Sequence, residues 1–200
     1  MKRPLAAALI AVSVLLVSSC SSIQAGSAAT STLGSISERD LTAQVQEALT
    51  AEGQNPDEPN ASLTIKTLNR LVLGELVGNL ASRMGITVTQ GQVDSQLATY
   101  EAENGGQQAV ANAFVTNGIP PSQITTVILI NLQAAAIAQA LLPNGTQQEQ
   151  NAALTKALSA LSEEVQVQIS PRFGTWDPTQ IMVGPPAFDL SAPPKGLRTA

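Results

Sequence analysis

The sequence contains no histidine and a single cysteine, and these absences remove most of the side chains that enzymes use for catalysis. Without histidine the chain lacks the commonest general base and the commonest zinc ligand. A lone thiol cannot form an internal disulfide. The fifteen acidic residues are scattered, and pairs such as Glu163 and Glu164 lie where helix ends are predicted. The sequence also has no glycine-rich phosphate loop. We therefore expect a protein that is not an enzyme and that needs no metal, nucleotide or other cofactor.

Basic and aromatic residues are also scarce. The 200-residue chain has ten Lys and Arg against fifteen Asp and Glu, a net charge of −5, and only 2% aromatic residues. Proteins that bind nucleic acids use basic patches and aromatic stacking. The composition therefore predicts no nucleic-acid partner.

The only cysteine, Cys20, ends a segment that is typical of a bacterial lipoprotein signal. Lys2 and Arg3 begin this segment, residues Leu5–Val17 form an uncharged apolar run, and small residues lead to the cysteine. The run is shorter than the roughly 17–25 residues of a membrane-spanning helix. We therefore expect residues 1–19 to be removed and Cys20 to carry the acyl chains that anchor the protein at the outer face of the bacterial cell membrane.

Composition divides the rest of the chain into three parts. Residues 20–30 are rich in serine, alanine and glycine and predict a flexible tether. Residues 31–178 carry the apolar periodicity of one folded domain, and residues 179–200 form a proline-rich tail. The apolar spacing predicts helices over residues 38–52, 62–84, 90–103 and 121–142, a short helix ending near residue 117, and a last helix that begins after Thr146.

The predicted fold is mainly α: an orthogonal bundle of about five to six helices, closed by a small two-stranded β pairing of the N- and C-terminal segments. Residues Thr32–Ile36 and Val165–Ile169 are the expected strands, because the second alternates apolar and polar residues. Thr89 with Gln92, and Thr146 with Glu149, have the spacing of capping boxes. The helix over 121–142 is apolar nearly all round. Such a helix is either buried on several sides or offered to a partner.

Two short motifs give the chain a family resemblance. The step Gly-Ile-Thr-Val-Thr at 85–89 with Val-Asp at 93–94, and the ending Pro-Arg-Phe-Gly-Thr-Trp at 171–176, resemble the N-terminal chaperone domain of the SurA and PrsA family of extracytoplasmic foldases. The resemblance covers about residues 30–178. In that family a parvulin-type prolyl isomerase domain is often inserted between the helices, whereas here only Pro143-Asn144-Gly145 stands at that place. Because parvulin domains use histidines, the resemblance implies the holding function alone.

The resemblance thus implies a lipid-anchored holdase that binds unfolded or newly secreted polypeptides and has no isomerase activity. The candidate client-binding residues are Ile124, Ile128, Leu132, Leu76, Leu80 and Met84. The other interpretation of these residues is that they form the core, and for any single leucine on either helix the core is the favoured interpretation. The alternative function is a lipoprotein that docks one specific envelope protein, and a homodimer is left open. An open, wide apolar groove would favour the chaperone, and a closed core with one small self-complementary patch would favour docking or dimerisation.

Overall fold

The computed structural model describes residues 25–185, so the predicted signal peptide, Cys20 and the end of the predicted tail lie outside the described residues. Within this range the protein is mainly helical, with small antiparallel strand groups near the two ends, which confirms the predicted fold class. The helices are α1 (Glu38–Ala51), α2 (Ala61–Arg83), α3 (Gln90–Glu103), α4 (Gln107–Thr116), α5 (Ile124–Leu141) and α6 (Gln147–Glu164), and a 3₁₀ turn at Pro121–Gln123 precedes α5.

The helix ends lie where the capping residues predict them. The Ser37 hydroxyl accepts a hydrogen bond from the Asp40 amide at the start of α1. Both capping boxes are formed, by Thr89 with Gln92 at α3 and by Thr146 with Glu149 at α6. Each box satisfies backbone N–H groups that a helix start otherwise leaves without partners. Local sequence therefore sets these boundaries.

The long helix α2 lies at the centre of the molecule. It contacts α1, α5 and α6, and its buried residues include Leu68, Val72 and Val77. Gly74 lets α5 approach closely, since a Cβ atom there would lie 2.9 Å from the Ile130 Cδ1 atom. The main core also takes in residues from α1, α6 and the strands.

The N-terminal sheet differs from the predicted pairing. Strand β1 (Ser27–Ser31) lies in the middle, between β2 (Gly34–Ser37) and β3 (Gln168–Ile169), and both neighbours are antiparallel to it. Residues 27–29 are buried, so the prediction of a flexible tether reaching residue 30 is wrong for this segment. Small residues resemble a linker in composition, but here Ala28 and Ala29 belong to the main core.

The predicted strand limits are also corrected. It is β1, and not Thr32–Ile36, that forms the ladder with the C-terminal strand. The Thr32 amide of the predicted segment donates to the Val165 carbonyl. Val165 is the C-cap residue that follows α6, and Gln166 has a left-handed backbone with φ 56°. The strand is therefore only Gln168–Ile169.

A second hairpin crosses the predicted boundary between the domain and the tail. Strands β4 (Thr175–Asp177) and β5 (Met182–Gly184) pair antiparallel, with Trp176 opposite Val183. The hairpin is held on α2 by the Val183 amide, which donates to the Asn69 side-chain carbonyl. Val183 is buried in the main core, so the domain does not end at residue 178 as predicted.

Helices α3 and α4 form a pair that stands apart from the main core. The pair contacts the rest of the molecule through α5 and the 3₁₀ turn. Val93, Val110 and Val115 are the buried residues of these two helices, and none of them belongs to the main core cluster. Ile128 on α5 is buried outside that cluster as well. The buried residues of the α3–α4 pair therefore lie outside the main core.

Candidate functional site

The structure separates the six candidate client-binding residues instead of gathering them on one surface. Leu76 and Ile128 are each 1% exposed, so they are interior residues and the prediction that they contact a partner is wrong. Leu80 and Met84 are half-buried and pack against the main core. Ile124 is half-buried at the first turn of α5. Leu132 lines a groove.

This groove runs between α3 and α5, and we call it the α3–α5 groove. It is open to solvent and has a volume of about 510 Å³. One wall is the face of α3 with the segment that leads into it, and the other wall is α5 at Leu132. The residues that line it are Thr89, Gly91, Gln92, Ser95, Gln96, Thr99 and Leu132. The groove is open as a chaperone would require, but it is polar, and the expected apolar groove is not found here.

The α3 wall results from helical spacing. Gln92, Ser95, Gln96 and Thr99 recur at three and four residues and therefore share one face. Val93 points away from this face and is 2% exposed. The helix thus turns its apolar stripe inward and its amide and hydroxyl groups toward the groove.

Some side chains of the groove wall already make hydrogen bonds within the protein, and others do not. The Gln92 Oε1 atom accepts from the Thr89 backbone N–H at 2.8 Å and from the Thr89 hydroxyl at 3.1 Å, so this pair serves the capping box. The Thr99 hydroxyl donates to the Ser95 carbonyl at 2.9 Å. Within residues 25–185, the Ser95 hydroxyl and the Gln96 amide make no hydrogen bond. These two groups can bind a ligand without breaking an existing bond.

The groove is electrically neutral. None of its seven lining residues is charged, and the sequence has no charged residue between Glu103 and Glu149. Asp94 on α3 does not line the groove and accepts a hydrogen bond from the Gln90 amide at 2.8 Å. A ligand in this groove would therefore make no direct contact with a charged lining residue.

The titratable groups with shifted pKa values lie elsewhere. Desolvation lowers the pKa of Arg70 and raises the pKa of Glu75, both on α2. The Arg70 guanidinium donates to the Gln44 amide oxygen at 2.8 Å and so joins α2 to α1. Neither residue lines the groove, so these shifts belong to packing.

Two smaller cavities flank the loop between α1 and α2, with volumes of about 160 and 220 Å³. Asp57 is within the lining of the larger one, and Glu58 is within the lining of both. No group of three or more His, Cys, Asp or Glu residues is placed to hold a metal ion anywhere between residues 25 and 185. We therefore assign no metal site to these two cavities.

Helix α5 carries the strongest apolar character in the described chain. With the preceding 3₁₀ turn it spans Pro121–Leu141, has a mean hydropathy of 1.7, and is by length and composition alone able to cross a membrane. Core helices of soluble proteins pass the same test, and α5 packs against α2, α3 and α6. Although 22% of the tested stretch is buried, the large apolar residues of α5 other than Leu141 are buried or half-buried, and its remaining exposed positions are Thr, Asn, Gln and Ala.

Apolar periodicity singles out leucine, isoleucine and methionine residues and does not indicate the polar wall. The signals that could have found it are the polar residues at helical spacing from Gln92 to Thr99 and the long stretch without charge that follows. No protein-family model matches the chain, and neither a curated protein nor a solved structure matches it. What the groove binds is therefore inferred from its own residues.

Proposed function

We propose that the protein is a lipid-anchored extracytoplasmic chaperone that holds unfolded or newly secreted polypeptides and does not isomerise prolyl bonds. The observation that carries this proposal is the open α3–α5 groove, whose lining is uncharged and includes Leu132 of the apolar helix α5. The lipoprotein-type segment ending at Cys20, the missing histidines and the resemblance to the SurA and PrsA family support the same function.

The groove suits a transient holder better than a permanent docking site. A permanent interface of standard size buries a well-packed apolar centre. Here Leu132 is the one apolar side chain of the groove, and the other lining residues are small or polar. Weak apolar contact combined with hydrogen bonding allows a client polypeptide to be bound and then released.

The test is suppression of aggregation by the chain from residue 20 onward, with Cys20→Ser so that no lipid is attached. The probe is reduced, unfolded α-lactalbumin at stoichiometric ratios, with serum albumin as the inert control. We expect protection beyond that of albumin. Leu132→Ser should lower the affinity for the client by about tenfold, since burying a leucine contributes on the order of 1.5 kcal/mol or more.

Leu141→Ser is the matched control, because Leu141 lies on the same helix, is 38% exposed and does not line the groove. It should leave protection unchanged. No protection by the unsubstituted chain at any ratio would contradict the chaperone proposal and favour the docking lipoprotein, which crosslinking in the envelope would then identify.

A further inference from the structure

We infer that the α3–α5 groove recognises the peptide backbone of an extended client segment and is indifferent to the charge of that client. This inference rests on the proposed function and specifies its substrate class. It follows from three properties of the groove: its neutrality, the hydrogen-bonding groups on its wall, and its length.

Neutrality excludes several ligand classes. A phosphate or a nucleic acid would need cationic side chains, and a basic peptide would need carboxylates; the lining residues include neither. Sugars commonly stack on aromatic rings, and no aromatic side chain lines the groove. A ligand that is itself neutral and rich in hydrogen-bonding groups fits best, and the peptide group is such a ligand.

The free groups of the wall match the peptide group chemically. The Gln96 amide offers one acceptor and two N–H donors, and the Ser95 hydroxyl can both donate and accept. The Gln92 amide nitrogen adds two further donors, because only its oxygen is used in the capping box. Peptide N–H and C=O groups need just these two kinds of partner, whatever side chains the client carries.

The wall is also long enough for an extended segment. Gln92 and Thr99 are seven residues apart on α3, which places them roughly 10 Å apart along the helix axis. An extended chain rises by about 3.3 Å per residue. The wall therefore spans about three client residues, and Leu132 on the other wall provides one apolar contact.

The first experiment fills the groove. Gly91 lines it, and a Cβ atom at this position would have only the Thr89 hydroxyl within 4 Å, at 4.0 Å. Gly91→Leu therefore extends a side chain into the groove without disturbing the fold. Gly78→Leu is the control, because Gly78 lies on α2 outside the groove and a Cβ atom there would meet nothing within 4 Å. We expect Gly91→Leu to weaken protection of unfolded clients at least fivefold and Gly78→Leu to leave it unchanged, with thermal unfolding confirming that both variants are folded.

The second experiment tests indifference to charge. Protection of an acidic client, reduced α-lactalbumin, and of a basic client, reduced lysozyme, should differ by less than twofold at low and at high salt. Gln96→Glu should then favour the basic client at least threefold at low salt, whereas Gln148→Glu, the same change on an exposed site away from the groove, should not.

The outcomes separate the inference from the proposed function. If the unsubstituted chain protects neither client, both the chaperone proposal and this inference fail. If it protects clients but Gly91→Leu protects equally well, the chaperone proposal survives and the groove is not the binding site. Protection of the basic client only, or protection lost in high salt, would show binding to the acidic surface and would overturn the inference.

Discussion

At the residue scale, Gly174 and Gly91 show how differently two glycines depend on having no side chain. Gly174 has φ +138°, and a Cβ atom there would clash with the Gly184 backbone carbonyl of β5. A Cβ atom added at Gly91 would have only the Thr89 hydroxyl within 4 Å, at 4.0 Å. We expect Gly174→Ala to lower the free energy of unfolding by roughly 1–3 kcal/mol, measured by urea denaturation.

Gly91→Ala serves as the matched substitution for this prediction. It should leave the free energy of unfolding unchanged or raise it by up to about 1 kcal/mol, since alanine restricts the unfolded chain. Equal stability of the Gly174 and Gly91 variants would contradict the close approach of the two backbone segments at Gly174.

Glu149 makes the stability of α6 dependent on pH. Hydrogen bonds from the Thr146 backbone N–H and hydroxyl hold the pKa of this carboxyl below its ordinary value of 4.5. Because the folded-state pKa is lowered, the stabilisation is complete above the unfolded value and is lost as pH falls through the folded value. Thermal midpoints should show the wild type above Glu149→Gln at neutral pH, with the gap closing between roughly pH 5 and pH 3.

The chain contains an internal comparison for this effect. The Thr89 and Gln92 box has the same geometry with a neutral amide. Gln92→Glu should add at the start of α3 the pH dependence that Glu149→Gln removes from α6, because a charged carboxylate is favourable at a helix N-terminus. A gap between wild type and Glu149→Gln that persists below pH 3 would mean that the amide does not preserve the cap.

Individual site residues were only partly predictable from the sequence. Periodicity places Leu76 and Ile128 on apolar faces, and both are indeed apolar positions, but the same pattern cannot tell a core contact from a partner contact. That distinction depends on which helices pack on that face, and this is set by tertiary structure. The polar wall was overlooked because Ser95 and Gln96 look like ordinary solvent-exposed helix residues until α5 lies opposite them.

At the scale of elements, the α3–α4 pair should be the least stable part of the helical module. Its buried residues lie outside the main core, and α4 begins at Gly106 without a side-chain cap. Few buried contacts lower the free energy of local opening. Hydrogen exchange should therefore be faster at the amides of α3 and α4 than at those of α2, by on the order of tenfold or more.

The middle of α2 is the internal reference for this measurement, since Leu68, Val72 and Leu76 there are all buried in the main core. Equal protection of α2 and the α3–α4 pair would show that the molecule opens as one unit. In that case the α3 wall of the groove would open no more readily than the main core.

Helices were predicted well and strands poorly, for a physical reason. The limits of α1, α3 and α6 follow from caps that lie next to them in sequence. Strand β1 has only Ser, Ala and Thr, and its stability comes from partners at both ends of the chain. Local sequence carries little information about such long-range pairing.

At the scale of the whole molecule, β1 joins the two ends of the domain. Removing it should destabilise the protein by about 3 kcal/mol or more, because two ladders and three buried residues are lost together. A chain that begins at Thr32 should have a clearly lower thermal midpoint than one that begins at Ala25. Equal midpoints would show that residues 27–31 behave as the predicted tether after all.

The position of β1 also determines when the molecule can finish folding. Ala29 of β1 pairs with Ile169 of β3, about 140 residues later. This ladder cannot form until β3 has been synthesised. Contacts this distant in sequence close late, since a long loop must lose its freedom first. During that interval one edge of β1 is uncovered and able to pair with other chains. The proposed chaperone therefore exposes, until β3 has been synthesised, an unpaired strand edge of the kind that makes other chains aggregate.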